Sequence, residues 1–115
     1  METNPEKIIA NILDDMAEIG DWTSFADALA ANGRNSHFAC REEVLTILTA
    51  LKQSPEIAVG RLAGDFRDLP DNWSPAEVTD QIFSDPQPVG AMMETLMRPT
   101  GKWPQKEKGS KEATP

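Results

Sequence analysis

Apolar residues recur at helical spacing along most of this chain. Between residues 5 and 19 they fall within one arc of about 140° when the chain is wound at 100° per residue. The residues in this arc are Ile8, Ile9, Ile12, Leu13, Met16 and Ile19. Gly20 follows at the position where a glycine commonly ends a helix. The pattern predicts a first helix over residues 5–19.

The same spacing and a recurrent start signal predict five further short helices. A capping side chain stands just before a proline in "TNPEK", "SPEI", "SPAEV" and "SDPQP". Proline suits the first position of a helix because its missing N–H would have no partner there. The predicted helices cover about residues 22–31, 41–53, 54–69, 74–83 and 85–98.

Strand signals are scarce, since the chain has no tyrosine and shows little alternation of apolar and polar residues. We therefore expect an all-α fold, a single compact domain of five to six short helices packed as an irregular bundle over residues 1–98. Residues 99–115 are rich in Lys, Pro and Gly and are predicted to be a disordered tail.

The charge is large and unevenly distributed. Among 115 residues, 19 are acidic and 11 are basic, for a formal net charge of −8. Residues 1–97 hold 17 acidic and 6 basic side chains, a charge of −11, whereas residues 98–115 carry +3. An acidic body repels nucleic acid and anionic membranes and favours a basic protein partner.

Few residues suggest chemistry. Cys40 is the only cysteine and His37 the only histidine, which is too few for a zinc site, and no disulfide can form within the chain. Phosphate-binding glycine loops and a GxSxG motif are absent. We expect no cofactor, no metal and no enzymatic activity. No basic leader or long apolar run is visible, which predicts a cytoplasmic protein without a membrane segment.

Two groups of residues are candidates for a partner surface. Met92, Met93 and Met97 lie on one predicted helix face, which is either core or an adaptable apolar surface. The acidic candidates, at the end of the first predicted helix, are Asp14, Asp15 and Glu18.

Two glycines, Gly60 and Gly64, lie four residues apart in the fourth predicted helix. Each costs about 1 kcal/mol in a helix interior, so they indicate either close helix packing or a kink.

These features favour a small acidic protein-binding module, such as an adaptor, an inhibitor or an immunity-type factor. Its expected partner is another protein with a basic surface, and a homodimer is a further possibility. The alternative is a helical nucleic-acid-associated transcriptional regulator that uses the basic tail or a helix-turn-helix-like segment. Nucleic acid is the less expected partner, because the exposed positions of the candidate helices are largely acidic.

Overall fold

The computed structural model describes residues 4–20, 22–62 and 64–101 of the chain. Within these ranges five helices and four strands follow one another. Their order is α1 (Pro5–Ile19), β1 (Thr23–Ser24), α2 (Phe25–Ala31), α3 (Arg41–Gln53), β2 (Ile57–Leu62), β3 (Phe66–Asp68), α4 (Pro75–Ser84), α5 (Pro88–Glu94) and β4 (Thr95–Pro99). The chain is a mixed α/β protein, and the prediction of an all-α helical bundle is wrong.

The four strands form one antiparallel sheet in the order β1-β4-β2-β3. The last strand in the sequence therefore lies between the first and the second. Met97 of β4 stands opposite Thr23 of β1 on one side and opposite Val59 of β2 on the other. The sheet thus joins segments that are far apart in the sequence.

All five helices contribute to a core that covers one face of this sheet, which we call the inner face. From the strands, Ile57, Val59 and Met97 point into this core. The helices supply the remaining buried apolar side chains, which are Ile8, Ile9, Ile12, Met16, Phe25, Ala28, Leu29, Val44, Ile47, Leu48, Ala50, Leu51, Val78, Ile82 and Met92. The result is a two-layer arrangement of helices on a sheet.

Local signals fix the helix ends that the sequence predicts best. The side chain of Asn4 accepts hydrogen bonds from the N–H groups of Glu6 at 2.9 Å and Lys7 at 3.3 Å. Gly20 ends α1 in the left-handed conformation, with φ of 74°. The predicted bounds 5–19 and 41–53 are those of α1 and α3, and the helix predicted over 74–83 is α4.

The predicted fourth helix is replaced by the hairpin of β2 and β3. Ile57 and Val59 alternate inward with extended spacing, and Gly64 adopts φ of 79° in the turn. Gly60 and Gly64 are therefore not a helix-packing pair. Gly60 does mark a close approach, but the approach is that of β3 to β2 within the sheet.

The predicted sixth helix is correct only for its first half. Helix α5 ends at Glu94, and residues from Thr95 onward pair with β2 and β1 as β4. Pro99 ends the strand without loss of a bond to β2, because Thr100 donates the next one to the carbonyl of Glu56 at 3.0 Å. Pro99, expected in the tail, thus belongs to the sheet, and Thr100 is the next residue after the strand. Residues 102–115 of the predicted tail lie outside the described residues.

The second predicted helix is also shorter than expected. Trp22 lies before β1, and α2 begins only at Phe25. Ser24 caps it, since its side chain accepts from the N–H of Asp27 while the Asp27 carboxylate accepts from the N–H of Ser24. Across the part of the chain that the structure describes, no helix is long and apolar enough to cross a membrane.

The close approach at Gly60 generates a prediction. A Cβ atom added at Gly60 would overlap the carbonyl oxygen of Arg67 and lie 2.5 Å from Cε1 of Phe66. Gly60→Ala should therefore lower the free energy of unfolding by about 2 kcal/mol or more, measured by urea denaturation. Gly90→Ala is the matched control, because Gly90 lies in α5 with no atom closer than 3.8 Å. That control should raise stability by up to about 1 kcal/mol, and equal effects of the two substitutions would contradict the strand pairing.

Candidate interaction surface

The face of the sheet opposite the core carries a cluster of apolar side chains and one arginine, in which Trp22 and Leu62 are exposed. We call this the outer face, and its outer-face cluster consists of Trp22, Leu62, Phe66, Leu96 and Arg98. The strand register places Leu62 opposite Phe66, Leu96 opposite Gly60 and Arg98 opposite Ala58. Side chains that are opposite one another in an antiparallel pair lie on the same face. The cluster is therefore built from β2, β3 and β4 and from the residue that precedes β1.

Two aromatic rings and a guanidinium group lie together on this face. The ring centroids of Trp22 and Phe66 are 5.3 Å apart, with their planes at 59°. The guanidinium of Arg98 lies 5.3 Å from the centre of the Phe66 ring. Arg98 also donates to both carboxylate oxygens of Asp68, at 3.2 and 3.0 Å. This contact orients the arginine along the face and leaves its charge locally balanced.

The absence of a side chain at Gly60 explains this geometry. Gly60 has no side chain, so Phe66 can lie directly against the backbone of β2. Gly60 and Leu96, which are opposite one another in the sheet, are buried even though they lie on the outer face. Leu62 nevertheless remains 52% exposed and Trp22 37% exposed. An apolar group of this kind on an exposed sheet face is typical of a binding surface.

A group of carboxylates lies at the C-terminal end of α1, and we call it the acidic end. It contains the predicted residues Asp14, Asp15 and Glu18 together with Asp27 of α2. The last turn of α1 has no basic residue, although the negative end of the helix dipole favours one there. Negative charge is thus concentrated where the helix itself disfavours it.

Asp15 is the residue of the acidic end on which this repulsion acts most clearly. Burial raises the pKa of the Asp15 carboxyl above its ordinary value of 3.8. Repulsion from three neighbouring carboxylates raises this pKa further, in the order Asp27, Glu18 and Asp14. A positive group placed here would oppose the repulsion between these carboxylates.

The acidic end adjoins the outer face. Trp22 follows the last residue of α1, Ile19, by only three positions, and Ile19 is itself an exposed large apolar side chain. Asp27, which belongs to the acidic end, accepts a hydrogen bond at 3.1 Å from the backbone N–H of Ser24 in β1. The edge of the sheet at β1 therefore connects the apolar cluster to the carboxylates.

The three predicted methionines do not form one exposed surface. Met92 is 1% exposed and Met97 is 0% exposed, so both are core residues. Met93 is 58% exposed on α5. Only Met93 of this group can present its side chain to a partner, whereas the acidic residues of the prediction do come together.

His37 and Cys40 are both exposed. The carboxylate beside them, that of Glu43, takes part in contacts at the start of α3. Glu43 accepts from the N–H of Cys40 at 3.0 Å and pairs with Arg34 at 3.1 Å, which stabilises the start of α3. Nowhere in residues 4–20, 22–62 and 64–101 do three His, Cys, Asp or Glu side chains group so that they could hold a metal ion.

Sequence reasoning missed the outer-face cluster because its members are assembled by strand pairing. Trp22 falls within the predicted helix 22–31, and Leu62 and Phe66 fall within the predicted helix 54–69. The signal that could have revealed them is the pair of glycines Gly60 and Gly64, each of which is unfavourable in a helix interior.

The raised pKa of Asp15 predicts a pH-dependent gain in stability from Asp15→Asn. Between pH 3.8 and the raised pKa, the folded state binds more protons than the unfolded state, so stability falls as pH rises through this range. The variant lacks the charge and avoids this loss. Its melting temperature should exceed that of the wild type at pH 7, and the gain should disappear below pH 3.8. Asp71→Asn, in an exposed turn, is the control. A lower melting temperature for Asp15→Asn at pH 7 would contradict the repulsion.

Comparison with known proteins gives no match to this chain, either among family models, among curated proteins or among solved structures. The outer-face cluster and the acidic end are therefore the features from which a function can be inferred.

Proposed function

We propose that this chain is a small acidic protein-binding module that docks another protein on the outer face of its sheet. An adaptor, an inhibitor or an immunity-type factor would each act in this way. The observation that carries the proposal is the outer-face cluster, in which Trp22 and Leu62 remain exposed beside the Phe66 ring and the Arg98 guanidinium. Aromatic residues and arginine are the residues most often found at the energetic centre of protein interfaces.

Charge indicates the chemistry of the partner. The acidic end adjoins the cluster at β1, so a partner segment with apolar side chains followed by lysine or arginine would match both. The net charge of −8 would steer such a partner toward the chain from a distance. A second copy of the chain would bring the same negative charge to the contact, so charge favours a different protein.

Fewer observations support the alternative function, that of a nucleic-acid-associated regulator. The third to fifth predicted helices would have to hold the helix-turn-helix, but the β2–β3 hairpin separates α4 from the helix before it, α3. Arg41, at its start, forms an ion pair with Asp80 of α4. Glu42 beside it is exposed and would repel phosphate.

A cytoplasmic location remains part of the proposal and rests on the single, unpaired cysteine.

A pair of matched variants tests the use of the outer face. Leu62→Asp places a charge in the cluster, whereas Phe38→Asp does so at a side chain that is 84% exposed in another part of the fold. Each full chain is immobilised and used to capture proteins from lysate of the cells that produce it. We expect a protein that wild type and Phe38→Asp retain equally and that Leu62→Asp retains about tenfold less.

Equal retention by all three chains, or loss with both variants, would contradict the proposal. Thermal unfolding of each variant confirms that it is folded. Once the partner is identified, Asp14→Lys combined with Glu18→Lys should slow its association on the order of tenfold at low salt and have little effect at high salt. An unchanged association rate would contradict a role of the acidic end in binding the partner.

A further inference from the structure

A concave surface lies between the start of α1 and the end of α3, and none of its lining residues belongs to the outer-face cluster. This groove has a volume of about 810 Å³ and is open to solvent. Its apolar lining comes from Ile9, Ala10 and Leu13 of α1 and from Ala50 of α3. The size is within the range of sites that accommodate a ligand or a large side chain.

The rim of the groove is acidic. Glu6 lies on the α1 side and Glu56 on the opposite side, just before β2. None of the described residues that line the groove is a lysine or an arginine. An occupant with an apolar anchor and positive charges beside it would match the groove in both respects.

The chain itself arrives at this rim at the end of β4. The hydroxyl of Thr100 donates to the carbonyl of Pro55 at 2.7 Å, and the N–H of Thr100 donates to the carbonyl of Glu56 at 3.0 Å. Pro55 and Glu56 both line the groove. Thr100 is therefore fixed at the edge of the cavity, and the chain continues from there.

The sequence that follows has the composition the groove requires. Residues 102–115 contain four lysines, two glutamates and one tryptophan, Trp103. Three residues of extended chain span at most about 11 Å, so Trp103 is within reach of a groove whose rim holds Thr100. Tethering of this kind gives an effective concentration on the order of millimolar, so a weak contact is sufficient for occupancy.

We propose that the groove binds the segment of this chain that follows Gly101, with Trp103 as the apolar anchor. Lys102 and Lys106 flank this anchor in the sequence and supply positive charge for the rim formed by Glu6 and Glu56. The groove is then a regulated site, because any external ligand must displace the tethered segment. This inference is independent of docking on the outer face.

The test uses the full chain labelled with 5-fluorotryptophan, whose three tryptophans give three fluorine signals. Trp103→Phe assigns the signal of Trp103. In the wild type this signal should differ from that of a free indole, and it should return to the free position in Ala10→Lys, which places a positive charge in the groove. Ala30→Lys, at an exposed alanine of α2, is the matched control and should leave the signal unchanged.

Backbone amide spectra of the full chain provide the second measurement. Trp103→Ala should change the shifts of Ile9, Ala10, Leu13 and Ala50 and leave those of α4 unaffected. A Trp103 signal at the free position in the wild type, with no change in these amides, would overturn the proposal. Changes that grow with protein concentration would overturn it as well, since they would show that the segment of a second copy occupies the groove.

Discussion

The pairing of β4 between β1 and β2 is the interaction on which the rest of this structure depends. Without β4, the two residues of β1 would have no partner in the sheet, and the hairpin of β2 and β3 would stand alone. An isolated two-stranded hairpin is at best marginally stable in water. Met97 stabilises this pairing on the inner face of the sheet, because its side chain is fully buried between Thr23 and Val59.

The same pairing creates two faces of different chemistry. On the inner face, alternate residues of β2 and β4 join the helical core. On the outer face, Trp22 and Arg98 lie against the Phe66 ring, which itself lies against Gly60. The inner face accounts for stability, since it removes apolar surface from water. The outer face leaves such surface exposed next to the acidic end, and this combination is the basis of the proposed binding.

The sequence alone predicts the helices whose ends are marked locally. Asn4 and Gly20 bound α1, and Ser74, whose side chain accepts from the N–H of Glu77, starts α4. Such signals act over a few residues and are legible without tertiary context. The acidic end was also predictable, because its first three members lie on a single helix.

The strands were not predictable in this way. Val59, Leu62, Phe66 and Leu69 fit a helical face as well as they fit a hairpin, and only pairing over long sequence separations decides between the two. The glycines were the better evidence, since two of them in one helix cost about 2 kcal/mol in total relative to alanine. Met97 shows the same difficulty, because its helical spacing from Met93 holds although it lies in a strand.

The most direct test of this account is a nuclear Overhauser spectrum of the isotopically labelled chain. Val59 and Met97 face each other in a pair without mutual hydrogen bonds, in which the two α-carbons approach to about 4.5 Å. The account predicts a strong cross-peak between their α-protons and extended-chain patterns over residues 57–62 and 95–99. Helical amide-to-amide contacts through residues 57–69 and 95–98, without that cross-peak, would contradict the sheet and with it the outer face.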